Sequence, residues 1–405
     1  MANEEIDVKG LDFELTKMLK YYLSKLVEYK GSDLHVKAGS TIRGRINGEI
    51  TPLSKQILSY KDSVTLAKEL LRSRFPELVE KKSVDFTFKL NDDYRFRVNI
   101  FFQVDGVSAV FRTIPMVLPT IETLQLPEIV HKFCSIPRGL ILVTGPTGSG
   151  KTTTLASIIN EINRTKRKHI ITVEDPVEFV YKDDKSIVNQ RAIGQDALSF
   201  SDSLRAALRE DPDVILVGEM RDLETIETAL HAAETGHLVL STLHTVDAKE
   251  TINRIIGMFP GEEHNRIQMS LSAVLQGVIS QRLLRREDGG RIAAVEILVK
   301  NARIDGLIME GRDSEIPDAI AEGKDIYKSQ TFDQALLEHY ANGVISRQEA
   351  LNNASVPNDL KMKLDYYDAE KAHQRKTHNL KNEDLNEKER MNSFKEDSDI
   401  IGLKK

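Results

Sequence analysis

The chain has 405 residues, a net charge of −6 at pH 7, an isoelectric point near 6.0 and a mean hydropathy of −0.32. Those values fit a soluble chain of two or three domains without a membrane span, which takes about 20 consecutive apolar residues. They argue against nucleic-acid binding by the chain as a whole, which takes a basic face or tail.

Cys134 is the single cysteine, so no internal disulfide or cysteine-rich zinc site is available. The opening MANEEIDVKG lacks the basic-then-apolar pattern of a signal peptide, and a cytoplasmic location is expected. No internal repeat occurs at solenoid spacing.

In chain order, Leu11, Leu15, Leu19, Tyr22, Leu23 and Leu26 form one helical stripe, with Gly31 as its stop. Short strands follow at Asp33–Val36 and Thr41–Ile46, and Asn47-Gly48 signals a hairpin. Tyr60–Arg74 reads as helix. Strict alternation at Val84–Leu90 and Tyr94–Ile100 predicts two strands joined through Asn91-Asp92-Asp93, and Val107–Phe111 a third. Residues 1–114 are therefore expected to be a small α+β domain, and the Pro115–Pro127 stretch an interdomain linker.

From Arg138 the pattern changes. Apolar runs at Leu140–Val143, Ile170–Val173, Val214–Val217 and Leu238–Leu240 alternate with helical stretches, which predicts a parallel sheet flanked by helices over 128–358. Asp222 and Asp247 are good N-caps and Gly236 a good stop. Glu262–Leu284 reads as one long helix, Arg291–Val299 as a strand, and Phe332–Ala341 and Arg347–Asn352 as helices. The mixed-charge, apolar-poor stretch 359–405 reads as a disordered tail with room for one transient helix, and a docking segment is the alternative.

The strongest motif lies in Arg138–Leu155, RGLILVTGPTGSGKTTTL. Gly145, Gly150, Lys151 and Thr152 satisfy G-x-x-x-x-G-K-[ST] between a strand and a helix. Glycines let backbone N–H groups close around phosphate oxygens, and the helix N-terminus adds its positive dipole end. The nucleotide-binding set is Gly145, Pro146, Thr147, Gly148, Ser149, Gly150, Lys151, Thr152 and Thr153. Lys151 is expected at the β/γ-phosphates of ATP and the Thr152 hydroxyl on Mg²⁺.

Hydrolysis also needs carboxylates at the carboxyl ends of neighbouring strands. Val214–Val217 ends in Gly218-Glu219, resembling a Walker B strand with Glu one place late, and Ile170–Val173 ends in Glu174-Asp175. Glu174 is assigned to water activation and Glu219 to Mg²⁺ through coordinated water, with the reverse assignment as the alternative. His237 and His244 bracket the last strand, seven residues apart and so on opposite faces, and His244 is favoured to face the γ-phosphate.

Arg205 and Arg209 share one helical face, while Arg95 and Arg97 share the polar face of a strand. Either they pair with local acids, or they and Arg112 reach phosphates across a subunit boundary, which requires an oligomer.

The ordered blocks SDLH (Ser32–His35), YRFRVN (Tyr94–Asn99), VFRTIP (Val110–Pro115), the P-loop, TVEDPVEFV (Thr172–Val180), SLRAALREDPDVILVGEMRDLETIETAL (Ser203–Leu230) and AAETGHLVLSTLHT (Ala232–Thr245) carry a family resemblance. The chain resembles the retraction ATPases of bacterial type IV pili, the PilT group within the type II/IV secretion ATPases. The resemblance implies a PAS-like N-terminal domain before a RecA-like P-loop ATPase domain, assembled as a homohexameric ring. It maps an Asp box onto Glu174 and Asp175 and a Walker B motif onto Gly218 and Glu219. It maps a His box onto His237 and His244, and phosphate-contacting arginines onto Arg97, Arg112, Arg205 and Arg209.

It further implies a motor at the cytoplasmic base of the pilus, peripheral to the inner membrane. Such a motor acts on the platform protein and drives pilin disassembly and twitching motility. A second retraction ATPase is a further possible partner, and no direct nucleic-acid partner is expected. The short N-terminal region and single cysteine favour retraction over extension. The alternatives are an auxiliary motor of the PilU group, consistent with the departure at NARIDGLIME (Asn301–Glu310), and a DNA-translocating secretion-type ring.

Overall fold

The computed structural model describes residues 13–373, apart from 47, 92–93 and 115–116. The expected turns through Asn47 and through Asp92-Asp93, the start of the stripe at Leu11, Pro115 and the tail from 374 onward lie outside the described residues.

Two sheets organise the chain. The first comprises β1 (Asp33–Lys37), β2 (Thr41–Ile46), β3 (Glu49–Ile57), β4 (Ser83–Lys89), β5 (Arg95–Gln103) and β6 (Gly106–Ile114), in the order β3-β2-β1-β6-β5-β4. Every pairing is antiparallel. Alternation drives it: Phe96, Val98 and Ile100 of β5 are buried while Arg97 between them is exposed. The apolar face packs with Val84, Phe86 and Phe111 against the helices Glu14–Glu28 and Tyr60–Leu71.

The second sheet comprises β7 (Gly139–Thr144), β8 (His169–Glu174), β9 (Ile187–Ala192), β10 (Val214–Val217), β11 (Leu238–Leu243), β12 (Leu275–Arg285) and β13 (Arg291–Val299). Its order is β13-β12-β7-β11-β10-β8-β9, parallel throughout except for the antiparallel β12–β13 pair. Both faces are covered, so β7 is buried at all six positions: Leu140 and Leu142 point into one core, Ile141 and Val143 into the other. Asp222 and Asp247 cap the helices Leu223–Glu234 and Ala248–Ile256 by accepting from Thr225 N and Glu250 N.

Three sequence expectations require correction. Glu262–Leu284 is not one helix: a helix over His264–Val274 gives way to β12, which pairs with β7 on one side and β13 on the other. The apolar spacing suits a helix, but a slot beside the central strand requires β-structure. Gly277 fits there because a Cβ would lie 2.4 Å from Phe133 Cζ.

Second, the start of the charged tail is ordered. Residues 357–373 are helical, and Leu360 and Leu364, one turn apart, are fully buried against Phe332, Leu336 and Leu284. Third, the stretch expected to be linker carries Ile121 and Leu126 into the core of the second sheet, beside the helix Ile129–Phe133.

Candidate active site

The site begins where β7 ends. At Gly145 the backbone has φ +144, and a Cβ would lie 2.5 Å from Gln281 O, so the turn accepts only glycine. The loop then reaches Gly150 (φ +95) and opens the helix Lys151–Thr165. Its first-turn N–H groups face outward, a built anion site. Lys151 is buried, and its Nζ donates to Gly145 O (2.8 Å) and Pro146 O (3.1 Å). Burial lowers its pKa, against the opposing pull of Glu219 and Glu178.

A cavity of about 600 Å³ opens above this loop. Thr147, Gly148, Gly150, Lys151, Thr152 and Thr153 line it from below. Glu174 and Asp175 enter from the end of β8, Glu219 and Arg221 from the end of β10, and Thr242 and His244 from the end of β11. All stand at the carboxyl ends of parallel strands, where open α/β sheets bind ligands. Pro146 contributes its carbonyl to Lys151, and Ser149 faces a second cavity on the far side of the loop.

The two carboxylates have different surroundings. Glu174 is 6% exposed and accepts from Thr172 Oγ1 (2.7 Å) and Gln190 Nε2 (3.3 Å). Burial pushes its pKa up to about 7, even against those two hydrogen bonds. Gln190 is held in turn, donating to Phe179 O (2.8 Å) and accepting from Tyr181 N (2.9 Å). Glu219 instead lies beside an arginine and a histidine: Arg221 Nε is 2.7 Å from Oε1 and His244 Nε2 3.6 Å from Oε2.

The oxygen donors Thr152 Oγ1 and Glu219 suit Mg²⁺, which binds through one or two protein oxygens plus phosphate oxygens and water. Among the described residues no cluster of three or more His, Cys, Asp or Glu forms a cage. The donor set therefore fits an ion shared with a nucleotide.

The histidines separate by strand end rather than by face. His244 follows the carboxyl end of β11 and lines the cavity. His237 precedes the amino end, with Nδ1 2.9 Å from Ala232 O, as a structural partner of the preceding helix.

The arginines divide more sharply. Arg97 lines the cavity from its own chain, so its approach does not depend on a subunit boundary. The pleat of β5 places it on the polar face of the first sheet, and that face is turned toward the P-loop. Arg112 is its cross-strand partner but does not line the cavity; its Nε donates to Asp33 Oδ1 at 2.8 Å. Arg205 pairs with Glu224 beside a different groove, and Arg209 is exposed outside the cavity. Motif reading overlooked Arg221, Arg291 and Gln190. Arg221 sits two residues after Glu219 in GEMRD, a signal available to a search for cations beside the carboxylates.

A P-loop opening a helix beside a parallel sheet, with acids at the ends of adjacent strands, defines a RecA-like P-loop ATPase. The family model for type II/IV secretion system proteins matches residues 11–352, and the chain belongs to that family. It is 47% identical over 330 residues to PilT, a type IV pilus retraction ATPase of Pseudomonas aeruginosa, covering 80% of this chain and 95% of that one. The type IV pilus ATPase PilU of the same organism is 37% identical over 353 residues, covering 87% and 91%. A crystal structure of the pilus retraction motor PilT with bound ADP superposes with a TM-score of 0.79 at 45% identity, covering 85% of this chain and 99% of that one.

Proposed function

We propose that this chain is an ATP hydrolase that drives type IV pilus retraction, and hence twitching motility. Its site residues are the P-loop set with Glu174, Glu219, His244 and Arg97. The observation that carries this reading is the convergence of Lys151, two carboxylates and an arginine from the other sheet on one cavity. The 47% identity to PilT, against 37% to PilU, favours the primary over the auxiliary retraction motor.

In the proposed mechanism Lys151 exchanges its loop carbonyls for phosphate oxygens. Thr152 and Glu219 would hold Mg²⁺, which when bound neutralises charge developing on the β- and γ-phosphates. Glu174, held by Thr172 and Gln190 and poised near neutrality, accepts the proton of the attacking water. His244 and Arg221 flank Glu219 and set its orientation. Arg97 meets phosphate charge from the first sheet, so loss of that charge after hydrolysis weakens the hold of one sheet on the other.

The domains proposed are a PAS-like unit over 1–114, a connection over 115–127, the ATPase unit over 128–358 and a C-terminal extension over 359–405. The exposed Arg112, Arg205 and Arg209 are proposed to serve contacts between copies in a homohexameric ring. The ring would sit in the cytoplasm against the inner membrane and act on the pilus platform protein, alongside any second retraction ATPase. Among the described residues no helix is long and apolar enough to cross a membrane, so a peripheral position fits. Deletion in the native host, with surface pili counted by electron microscopy, tests the function. Excess pili that fail to retract are expected, whereas loss of pili would reject retraction in favour of extension.

A further inference from the structure

The helix Ala248–Ile256 buries Ala248, Thr251, Ile252 and Ile255, so its inner face carries a threonine where a valine of the same shape would fit. Thr251 shares that interior with Thr144 at the end of β7, Ser280 on β12 and Thr245 just after β11, all of them buried. A buried hydroxyl is tolerated only when it is hydrogen-bonded. These four bond to one another.

Thr251 Oγ1 lies 2.6 Å from Asp247 O, 2.6 Å from Thr245 Oγ1 and 3.5 Å from Thr144 Oγ1. Thr144 Oγ1 donates in turn to Ser280 Oγ at 2.9 Å. A hydroxyl has one proton to give, and a carbonyl can only accept. The Thr251 proton therefore goes to Asp247 O, and Thr245 must donate to Thr251. The longer approach to Thr144 is a packing contact.

The cluster sits where the sheet stops. The last pair of the β7–β11 ladder is Leu243 with Thr144, and the next residues along the two strands are His244 and Gly145. Beyond that pair no ladder bond fixes the separation of the His244 turn from the P-loop. Thr251 touches the neighbour of each. Its own helix is anchored, since Asp247 accepts from Glu250 N and the buried Glu296 on β13 accepts from Ala248 N at 2.9 Å. The other tie on the turn, Val246 N donating to Glu250 Oε2 at 2.8 Å, is exposed.

We propose that Thr251 is a positioning residue for hydrolysis: its hydroxyl, bound by Thr245 and packed on Thr144, sets the distance of the His244 turn from the P-loop and so holds His244 beside Glu219. Thr251 does not line the cavity and acts only through these neighbours. The assignment rests on the ATPase reading above. Nucleotide affinity comes from Lys151 and the P-loop N–H groups, which Thr251 does not touch, so its loss falls on the chemical step.

Three variants of the full chain test this. Thr251→Val keeps the shape, and the helix keeps its own bond from Thr251 N to Asp247 O, but the hydroxyl is gone. Its kcat is expected to fall about tenfold while ATP affinity, by calorimetry, holds within about twofold. Thr251→Ser retains the hydroxyl and should keep kcat within about twofold. The His244 imidazole resonance should shift in Thr251→Val and return in Thr251→Ser. Thr245→Val removes the proton given to Thr251 and should show the same kcat loss, so it decides the question even if Thr251→Val does not fold. Combining the two valine variants should cost no more than either alone, as one shared bond requires.

An unchanged kcat in the valine variants would overturn the proposal. So would a loss in Thr251→Ser as large as in Thr251→Val, an equal fall in ATP affinity, or losses that multiply in the double variant. Absence of hydrolysis by the unaltered chain would instead count against the ATPase reading itself.

Discussion

Glu174 is the residue on which the proposed mechanism depends most directly. Glu174→Gln keeps the shape and the hydrogen bonds to Thr172 and Gln190 but removes the proton acceptor. Hydrolysis is expected to fall about 100- to 10,000-fold while ATP binding, followed by calorimetry, is retained. The acceptor must be ionised, and burial holds its pKa near 7. The rate therefore rises with pH, by about tenfold per unit below 7, and levels off above it. Glu174→Gln should lose that limb of the profile; a variant that keeps it would move the base elsewhere.

The arginines give a contrast that single-cavity geometry predicts. Arg97→Ala should reduce hydrolysis in each chain, whereas Arg112→Ala should reduce it only through ring assembly, separable by measuring activity alongside sedimentation. The P-loop and both acids were readable in the sequence because each follows a short continuous apolar run, as a strand buried on both faces requires. That Arg97 and Arg112, opposite each other on paired strands, have different partners was not readable. Their separation depends on how one sheet sits against the other.

At the level of elements, legibility followed burial on both faces. β7, β8, β10 and β11 are almost entirely buried and announced themselves, whereas β9, with the half-exposed sequence IVNQRA, did not. β12 misled because Ile267, Leu271, Val274, Leu275, Val278 and Ile279 suit a helical stripe running straight through Gly277. Only the vacancy beside β7 decides between strand and helix, and no local pattern reports that.

The packing of the helix over 357–373 was hidden for a similar reason: few apolar residues, but those few at the right spacing. Leu364→Ala should cost about 2–5 kcal/mol in the part of the chain containing Phe332 and Leu336, seen as a lower denaturant midpoint for that transition. A cost within error would mean that the helix does not hold the cluster together. Gly277→Ala should also destabilise, by about 1–3 kcal/mol, since the new methyl group would meet the Phe133 ring.

At the scale of the whole molecule, two sheets of unlike construction share one ligand cavity. The first, antiparallel and half-exposed, presents a polar face; the second, buried on both faces, presents strand ends. The net charge of −6 opposes attraction of the chain as a whole to a polynucleotide. Added double-stranded DNA at low salt should leave the hydrolysis rate unchanged, and a salt-sensitive stimulation would revive the DNA-translocating alternative.

The hold of Lys151 on the carbonyl oxygens of Gly145 and Pro146 bears on the working cycle as a whole. A loop lined with inward-facing donors tends to lose its shape when the anion leaves. Here the loop's own ammonium fastens its first residues to the helix that follows. Those two bonds couple Gly145 and Pro146 to the first turn of the helix Lys151–Thr165. Replacing Lys151 therefore removes a brace of the loop as well as a cation from the cavity.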